Sequence, residues 1–438
     1  MKIAILGYGE QGRAAYEYWG KDPANQLVIR DQNEELAAPA GAMTMLGPQY
    51  LDNLDQYDLL IRSPALHPRD IVAANSPDIL SKVTTVTSEF MSVCPSRNII
   101  GITGTKGKGT TSTLVTRMLE AAGKTVHLGG NIGIPPLDML ANRIQPDDWV
   151  VLELANFQLI DLKQSPHIAV CLMVVPEHLN WHADIQEYIE SKQQLFASQT
   201  TDDIAIYYAA NQNSVTVASA GQATKIPFYQ APGAYVDNGS IVMNGHAICK
   251  TDEIKLLGKH NWQNICAAVT AVWQVTQDVQ ALHDAILAFE GLPHRLEFVR
   301  TINDISYYND SFAATPEAAL AALEAIPGKK VAIIGGFDRQ LPLEDFAKTI
   351  SNSTADICKL LLIGQAKDRI GAALQAVGYT NFVVSPANTM ADVIMAAQAE
   401  AEAGSGDVIL LSPGFPSFDM FKNFEDRGEQ FKAAVNTL

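Results

Sequence analysis

The sequence is short of cysteine, of positive charge and of long apolar runs, and each shortage excludes something. Five cysteines occur in 438 residues: Cys94, Cys171, Cys249, Cys266 and Cys358. Their spacings are long and irregular and contain no CxxC pair, which excludes a disulfide framework and a cysteine zinc site. They are expected as buried apolar side chains in a reducing compartment. Lys and Arg number 31 against 48 Asp and Glu, a net charge of −17. Nucleic-acid affinity rests on basic stripes that neutralise phosphates, so no nucleic-acid partner is expected. One local site can still hold a small phosphorylated ligand against the global sign. The longest apolar stretch, 168–175, is far too short to span a bilayer, and the first residues run straight into a strand-like segment. Neither membrane insertion nor a signal peptide is expected, and the location read from this is cytoplasmic.

What is present is an ordinary globular composition, 47% hydrophobic and 18% charged. At ~150 residues per domain the length predicts about three domains. Strand-like runs at 3–6, 27–29, 59–61 and 84–86 alternate with helix-like stretches, the rhythm of βαβ units and a parallel sheet. The rhythm breaks at Cys94-Pro95-Ser96-Arg97-Asn98, and a fresh strand follows at 99–103. Strands are expected at 149–153, 168–175 and 204–208, then a turn-rich, β-rich stretch over 227–257 and a helix over 261–273. A second break follows Leu292-Pro293-His294-Arg295, after which strands are expected at 331–334, 360–363, 382–384 and 408–411. The expectation is an α/β chain of three domains, 1–93, 94–297 and 298–438.

Two glycine loops carry chemistry. Gly7-Tyr8-Gly9-Glu10-Gln11-Gly12 follows the first strand, and Asp31 lies 19 residues beyond Gly12. Such a turn lets a diphosphate approach the positive end of a helix, and Asp31 is placed to accept from a ribose hydroxyl. Read alone, this pattern points to a nicotinamide dinucleotide and an oxidoreductase. No second half of a dinucleotide fold precedes residue 93, however, and the stronger phosphate loop lies elsewhere. That loop is Gly101-Ile102-Thr103-Gly104-Thr105-Lys106-Gly107-Lys108-Gly109-Thr110-Thr111. It misses the strict GxxxxGK[ST] pattern twice: Gly101 is one residue too far from Gly107, and Gly109 stands where a hydroxyl belongs. The physics still fits, since a strand, a glycine-dense turn and a helix opening with hydroxyl residues aim backbone N–H groups at phosphates. Lys108 would neutralise β/γ-phosphate charge, and Thr110 is the nearest hydroxyl for Mg²⁺.

With this loop in view, the chain resembles the Mur ligases, ATP-dependent amino-acid ligases of peptidoglycan precursor synthesis. The likeness runs nearly end to end. It continues through Gly129-Gly130-Asn131-Ile132-Gly133, Glu153-Leu154-Ala155-Asn156-Phe157-Gln158-Leu159 and Glu177-His178-Leu179-Asn180-Trp181-His182. Gly258-Lys259-His260-Asn261-Trp262-Gln263-Asn264, Pro293-His294-Arg295, Asn309-Asp310-Ser311 and Gly335-Gly336-Phe337-Asp338-Arg339 follow. Leu411-Ser412-Pro413, Ser417-Phe418-Asp419 and Asn423-Phe424-Glu425-Asp426-Arg427-Gly428 close the series.

The resemblance implies a Rossmann-like first domain that holds UDP rather than a nicotinamide, a central P-loop ATPase domain and a Rossmann-like C-terminal domain. It implies ATP and Mg²⁺ as cofactors, D-glutamate and UDP-N-acetylmuramoyl-L-alanine as substrates, and a monomer. An acyl phosphate would form from the muramoyl-peptide acid and ATP, and an amine would then displace phosphate. The resemblance places Gly9, Asp31, Gln32, Asn131 and Gln158 on the UDP-sugar. It places Gly104, Thr105, Lys106, Gly107, Lys108, Gly109, Thr110, Asn264, Arg295 and Asp310 on ATP. Thr110, Glu153, His178 and Lys192, the last as a carbamate, would hold metal, and Lys108, Glu153, His178 and Lys192 would carry catalysis. Arg339, Ser417 and the backbone of Phe424 would hold the acceptor. Lys106, Gly109, Ala155, Asn156, Asn180, Phe312 and Ala314 depart from the family pattern. Phe312 and Ala314 stand where Lys and Thr usually touch the acceptor, which leaves a different acceptor such as L-glutamate open.

Overall fold

The computed structural model describes residues 1–256 and 258–438, and Leu257, the end of the expected β-rich stretch, lies outside them. The chain divides into two compact units, 1–254 with 259–289 and 255–258 with 290–438. The expected boundary near 93 therefore falls inside the first unit.

The first unit holds two parallel sheets. In the first, the strands run in the order Met43–Leu46, Gln26–Asp31, Lys2–Leu6, Leu59–Arg62, Val83–Thr84. The order reverses beside Lys2–Leu6, so the loops after Leu6 and Arg62 open a crevice at the carboxyl ends, the usual ligand position in such sheets. The second sheet runs Thr224–Phe228, Ile204–Tyr208, Ile168–Cys171, Ile99–Thr103, Trp149–Glu153, Val126–Gly130, again all parallel. Ile100, Ile102, Val150, Leu152, Ala169 and Val170 are wholly buried, as expected for strands covered on both faces.

The second unit is a six-stranded sheet in the order Glu297–Ile302, Ile305–Asn309, Val408–Leu411, Lys330–Gly335, Ile357–Ile363, Phe382–Val384. Only its edge strand Glu297–Ile302 is antiparallel. Its order reverses between Val408–Leu411 and Lys330–Gly335, which sets the loops 336–341 and 412–419 at the crevice.

Two sequence expectations need correction, and a third gains detail. The strand expected at 84–86 stops at Thr84, because Thr85 caps the helix Val86–Val93 by accepting from Ser88 N–H. The strand expected at 168–175 stops at Cys171. The apolar run beyond it is buried against the phosphate loop, where Thr105 N–H donates to Met173 O and Thr105 Oγ1 bonds Val175. Hydrophobicity alone does not separate these two fates. Within 227–257 the β structure is a three-stranded antiparallel sheet over Tyr235–Asp237, Ser240–Met243 and His246–Lys250. Its turns are Asn238-Gly239 and Asn244-Gly245 with φ of 45°, 77°, 49° and 81°, the paired left-handed residues that two-residue hairpins need.

Candidate active site

The strand Ile99–Thr103 feeds a loop that opens the helix Lys108–Ala121. Two glycines shape this loop. Gly104 has φ +146°, and a Cβ there would lie 2.7 Å from Leu172 Cβ. Gly107 has φ +89°, and a Cβ there would lie 2.2 Å from Asn264 Oδ1. Asn264 is itself buried and donates to Asn261 Oδ1 at 2.9 Å, so it walls the loop from the helix His260–Trp273. Thr105 is buried, with Tyr188 OH 2.9 Å from its hydroxyl and Val175 on its other side, so its side chain anchors the loop. Lys108 folds back across the mouth and donates to Gly104 O and Thr105 O, each at 3.1 Å. The hydroxyls of Thr103 and Thr111 are buried with no hydrogen-bond partner. An anion-shaped cradle flanked by orphaned hydroxyls and Lys108 fits a nucleotide phosphate chain.

Glu153 ends its strand 5% exposed. Asn131 Nδ2 donates to Glu153 Oε1 at 2.8 Å, and Asn131 N–H donates to Glu153 O. Lys192 sits on the helix Ile185–Ala197, fully buried, with its Nζ 3.2 Å from the same Gly104 carbonyl that Lys108 uses. Burial and the nearby charge of Lys108 push its amine down to about 7. Such an amine is largely uncharged just above neutrality and is nucleophilic. His178 has φ +58° and its ring packs 4.8 Å from that of Phe157. Burial holds His178 below the usual imidazole range, with the lysines 106, 108 and 192 also acting against its protonation. Lys106 Nζ contacts Glu177 Oε1, next to His178.

The first glycine loop borders a cavity of about 550 Å³ lined by Tyr8, Gly9, Glu10, Arg13 and 36–39. Gly7 has φ +90°, and a Cβ on Gly12 would lie 2.2 Å from Gly7 O. Asp31 is partly spent on the loop itself: its oxygens accept from Tyr8 N–H at 2.7 Å and Asn33 N–H at 2.9 Å. Gln32 is exposed beside it. Gln158 is buried, and its Oε1 accepts from Ala155 N–H at 3.0 Å.

Sequence reasoning missed the residues that join the two sheets of this unit. Arg62 is buried, and all five of its N–H groups are used. Nε and Nη2 bond both Asp161 oxygens at 2.7 Å, Nη2 also reaches Phe157 O, and Nη1 reaches Ser63 O and Leu66 O. Glu187 gathers His182 Nδ1 at 3.2 Å, Ala183 N–H at 2.7 Å and His67 Nε2 at 3.4 Å. These three side chains have the composition of a metal site. The tautomer argues otherwise: His67 Nδ1 accepts from Arg69 N–H, so the proton of the neutral ring is on Nε2, facing the carboxylate. Asn156 Nδ2 meets His182 Nε2 at 2.7 Å and completes the chain to the helix Asn156–Leu159. Only the arginine before Ser63-Pro64 and the two histidines hinted at this in the sequence.

In the second unit, Asp310 is buried and accepts from Ser412 Oγ at 2.7 Å and Leu296 N–H at 3.1 Å. Burial raises its carboxyl to about 6. The Arg295 guanidinium lies 5.7 Å from the ring of Phe312, which is 52% exposed and packs edge-on to Phe424 at 5.2 Å. Arg427, quoted in the closing motif without a role, is buried and donates to Ser311 Oγ, Ser311 O and Phe415 O. Ser311 Oγ in turn donates to Phe424 O. Ser417 is buried and Arg339 exposed, on the two loops that flank the reversal of strand order. Arg339 has the freedom to reach a ligand because Arg369, not Arg339, pairs with Asp338.

Known proteins resemble this chain along its length. Residues 102–272 fit the Mur ligase middle domain, and residues 294–415 fit the Mur ligase glutamate ligase domain. The UDP-N-acetylmuramoylalanine--D-glutamate ligase of Clostridium tetani is 33% identical over 452 residues, covering 100% of this chain and 97% of that protein. That of Clostridium kluyveri is 35% identical over 451 residues with the same coverage. UDP-N-acetylmuramate-alanine ligase MurC of Thermotoga maritima shares the fold with a TM-score of 0.58 at 17% identity, covering 100% of this chain and 99% of that one. MurF ligase of the same organism, in complex with ADP, gives 0.57 at 14% identity, covering 99% and 95%. The glycine loop whose Gly104 carbonyl meets both Lys108 and Lys192 therefore sits inside a chain whose relatives match it from end to end, and the chain belongs to the Mur ligase family.

Proposed function

We propose that this chain is an ATP-dependent, ADP-forming amide ligase that joins D-glutamate to UDP-N-acetylmuramoyl-L-alanine in peptidoglycan precursor synthesis. The observation that carries the reading is the meeting of Lys108 and Lys192 on the Gly104 carbonyl of one glycine loop. Full-length relatives with that named activity support the acceptor and the donor.

In the first step the alanyl carboxylate attacks the γ-phosphorus, the bond to the β-γ bridging oxygen breaks, and ADP leaves. In the second the acceptor amine attacks the acyl carbon, phosphate departs, and the nitrogen loses a proton. Two anions must meet first, so cations are the central need of the site. Gly104, Thr105, Gly107 and Gly109 offer the loop backbone, Lys106 and Lys108 the positive charge, and Asn264 borders the nucleotide. Thr110, Glu153, His178 and carbamylated Lys192 would hold Mg²⁺. When bound, that ion offsets the charge on the phosphoryl oxygens. Asn131 keeps Glu153 aimed, and Gly104 O keeps Lys192 in place. Carbamylation joins the neutral Lys192 amine to carbon dioxide with release of one proton, and an amine displaced to about 7 is ready for it.

Gly9, Asp31, Gln32, Asn131 and Gln158 are the contacts proposed for the UDP-sugar, and the first and last sheets are read as Rossmann-like, within domains 1–93, 94–297 and 298–438. Arg295 and Asp310 are proposed as further ATP contacts. Arg339 is assigned to an acceptor carboxylate, with Ser417 and the Phe424 backbone on the other, because Arg offers a bidentate fork. The chain is read as a cytoplasmic monomer. Among the described residues, no helix is long and apolar enough to cross a membrane.

The test is phosphate release from ATP by purified protein. Release should need both UDP-N-acetylmuramoyl-L-alanine and an amino acid, with D-glutamate preferred over L-glutamate and other acceptors. Release that ignores the muramoyl substrate removes the reading, and preference for another amino acid corrects the acceptor.

A further inference from the structure

We propose that Lys106 is a phosphate-binding cation that offsets the hydroxyl this loop lacks, and that it reaches the nucleotide by leaving Glu177. The inference rests on the ATP reading above and concerns how that site manages charge.

A phosphate loop ordinarily follows its lysine with Ser or Thr, whose hydroxyl holds Mg²⁺. Gly109 has no side chain to offer. Thr110 is one residue further along the helix Lys108–Ala121, so its side chain leaves about 100° around the axis from that position. The loop is thus poorer than usual in metal contacts. It is also richer in positive charge, because Lys106 adds a second ammonium two residues before Lys108.

Lys106 lies between Gly104 and Gly107, with φ of +146° and +89°, and its side chain is 62% exposed. Its Nζ contacts Glu177 Oε1, while Glu177 Oε2 lies 3.7 Å from His178 Nε2. Lys106, Lys108 and Lys192 all act electrostatically on His178, so the Lys106 ammonium lies in the neighbourhood of the other two. An exposed ion pair is weakly held. A γ-phosphate offers a charge-assisted bond to a more concentrated anion. Lys106 therefore has a resting partner it can give up, and Glu177 keeps His178 beside it when Lys106 leaves.

The two partners then have opposite effects on nucleotide binding, which a passive surface pair would not produce. ATP binding to the full chain is measured by calorimetry with Mg²⁺ and with EDTA in its place. Lys106→Ala should weaken ATP binding about ten- to hundredfold in EDTA, and less with Mg²⁺ present. Lys106→Arg should restore most of the affinity. Glu177→Gln should tighten binding a few-fold by removing the competitor. Gly109→Ser should widen the ratio between the two conditions. Thermal unfolding without nucleotide should be nearly unchanged in Lys106→Ala, since the side chain is exposed. ATP affinity within twofold of the parent in Lys106→Ala, in both conditions, overturns the proposal and leaves the ligase reading standing. A parent chain that binds no ATP even with Mg²⁺ removes both.

Discussion

Replacing Lys192 by Met should make the protein more stable while abolishing its activity. In the first unit the Lys192 amine is fully buried and is held near 7, against 10.5 for an ordinary lysine. Each pH unit of that displacement is worth about 1.4 kcal/mol. Below pH 7 the folded chain carries a buried ammonium at a cost of about 5 kcal/mol. At pH 7.5 the cost is still about 4 kcal/mol, because the unfolded lysine remains protonated. Between 7 and 10.5 the unfolded chain binds the proton that the folded chain has released, so stability rises with pH, and above 10.5 the penalty is gone. Met has a similar length and no charge to desolvate. Its cost is the lost bond to Gly104 O, about 1 kcal/mol, softened because Lys108 also donates to that carbonyl. The net expectation is a gain of about 3 kcal/mol at pH 7.5. All five tryptophans, at 19, 149, 181, 262 and 273, lie in the first unit, so their fluorescence in urea reports this unit. The measurement is run in carbon-dioxide-free buffer, which keeps the amine unmodified. A variant less stable than the parent, or two chains with the same pH slope from 7 to 10, would refute the reasoning.

Further expectations concern the loop, the join between the sheets and the second unit. Gly107→Ala forces a Cβ to within 2.2 Å of Asn264 Oδ1 at a φ of +89°, and should cost about 2 kcal/mol with loss of ATP binding, read by denaturation and calorimetry. Arg62→Ala strands Asp161 and three carbonyls, and should cost the first unit about 3 kcal/mol, read as a lowered unfolding midpoint by tryptophan fluorescence. Asp310 keeps its proton to about 6 when folded and releases it near 3.8 when unfolded, so the second unit should lose stability as pH rises through that window. Asp310→Asn should flatten that slope, and an unchanged pH dependence of unfolding would contradict the assignment.

Strand positions such as 3–6, 99–103 and 408–411 could be read directly, because a buried parallel strand is a short apolar run bounded by turn residues. The same rule ran the strand at Ile168 on to 175, because burial against the phosphate loop also demands apolar side chains. The Asn-Gly pairs at 238–239 and 244–245 carried a hairpin signal sharper than the general β-rich reading. In the candidate site, Gly104 and Lys108 were legible from a glycine-dense turn between a strand and a helix, whereas Glu153, His178 and Lys192 were singled out by the family resemblance. What the sequence could not tell was which groups are already committed. Asp31 looked like a ribose acceptor yet is half spent on Tyr8 and Asn33, and Thr105 is an anchor rather than an open hydroxyl.

By itself the sequence determined the alternation of strands and helices, the two glycine loops and the kit of reactive side chains. These depend on local backbone preference and on apolar periodicity, which act over a few residues. Only the tertiary structure decided that Lys192 is buried on the Gly104 carbonyl and therefore held down to about 7, that Arg62 binds one sheet to the other, and that Glu187 draws two histidines from distant segments. Each of these depends on desolvation and on partners far apart in the chain, and neither is written in the residues next door.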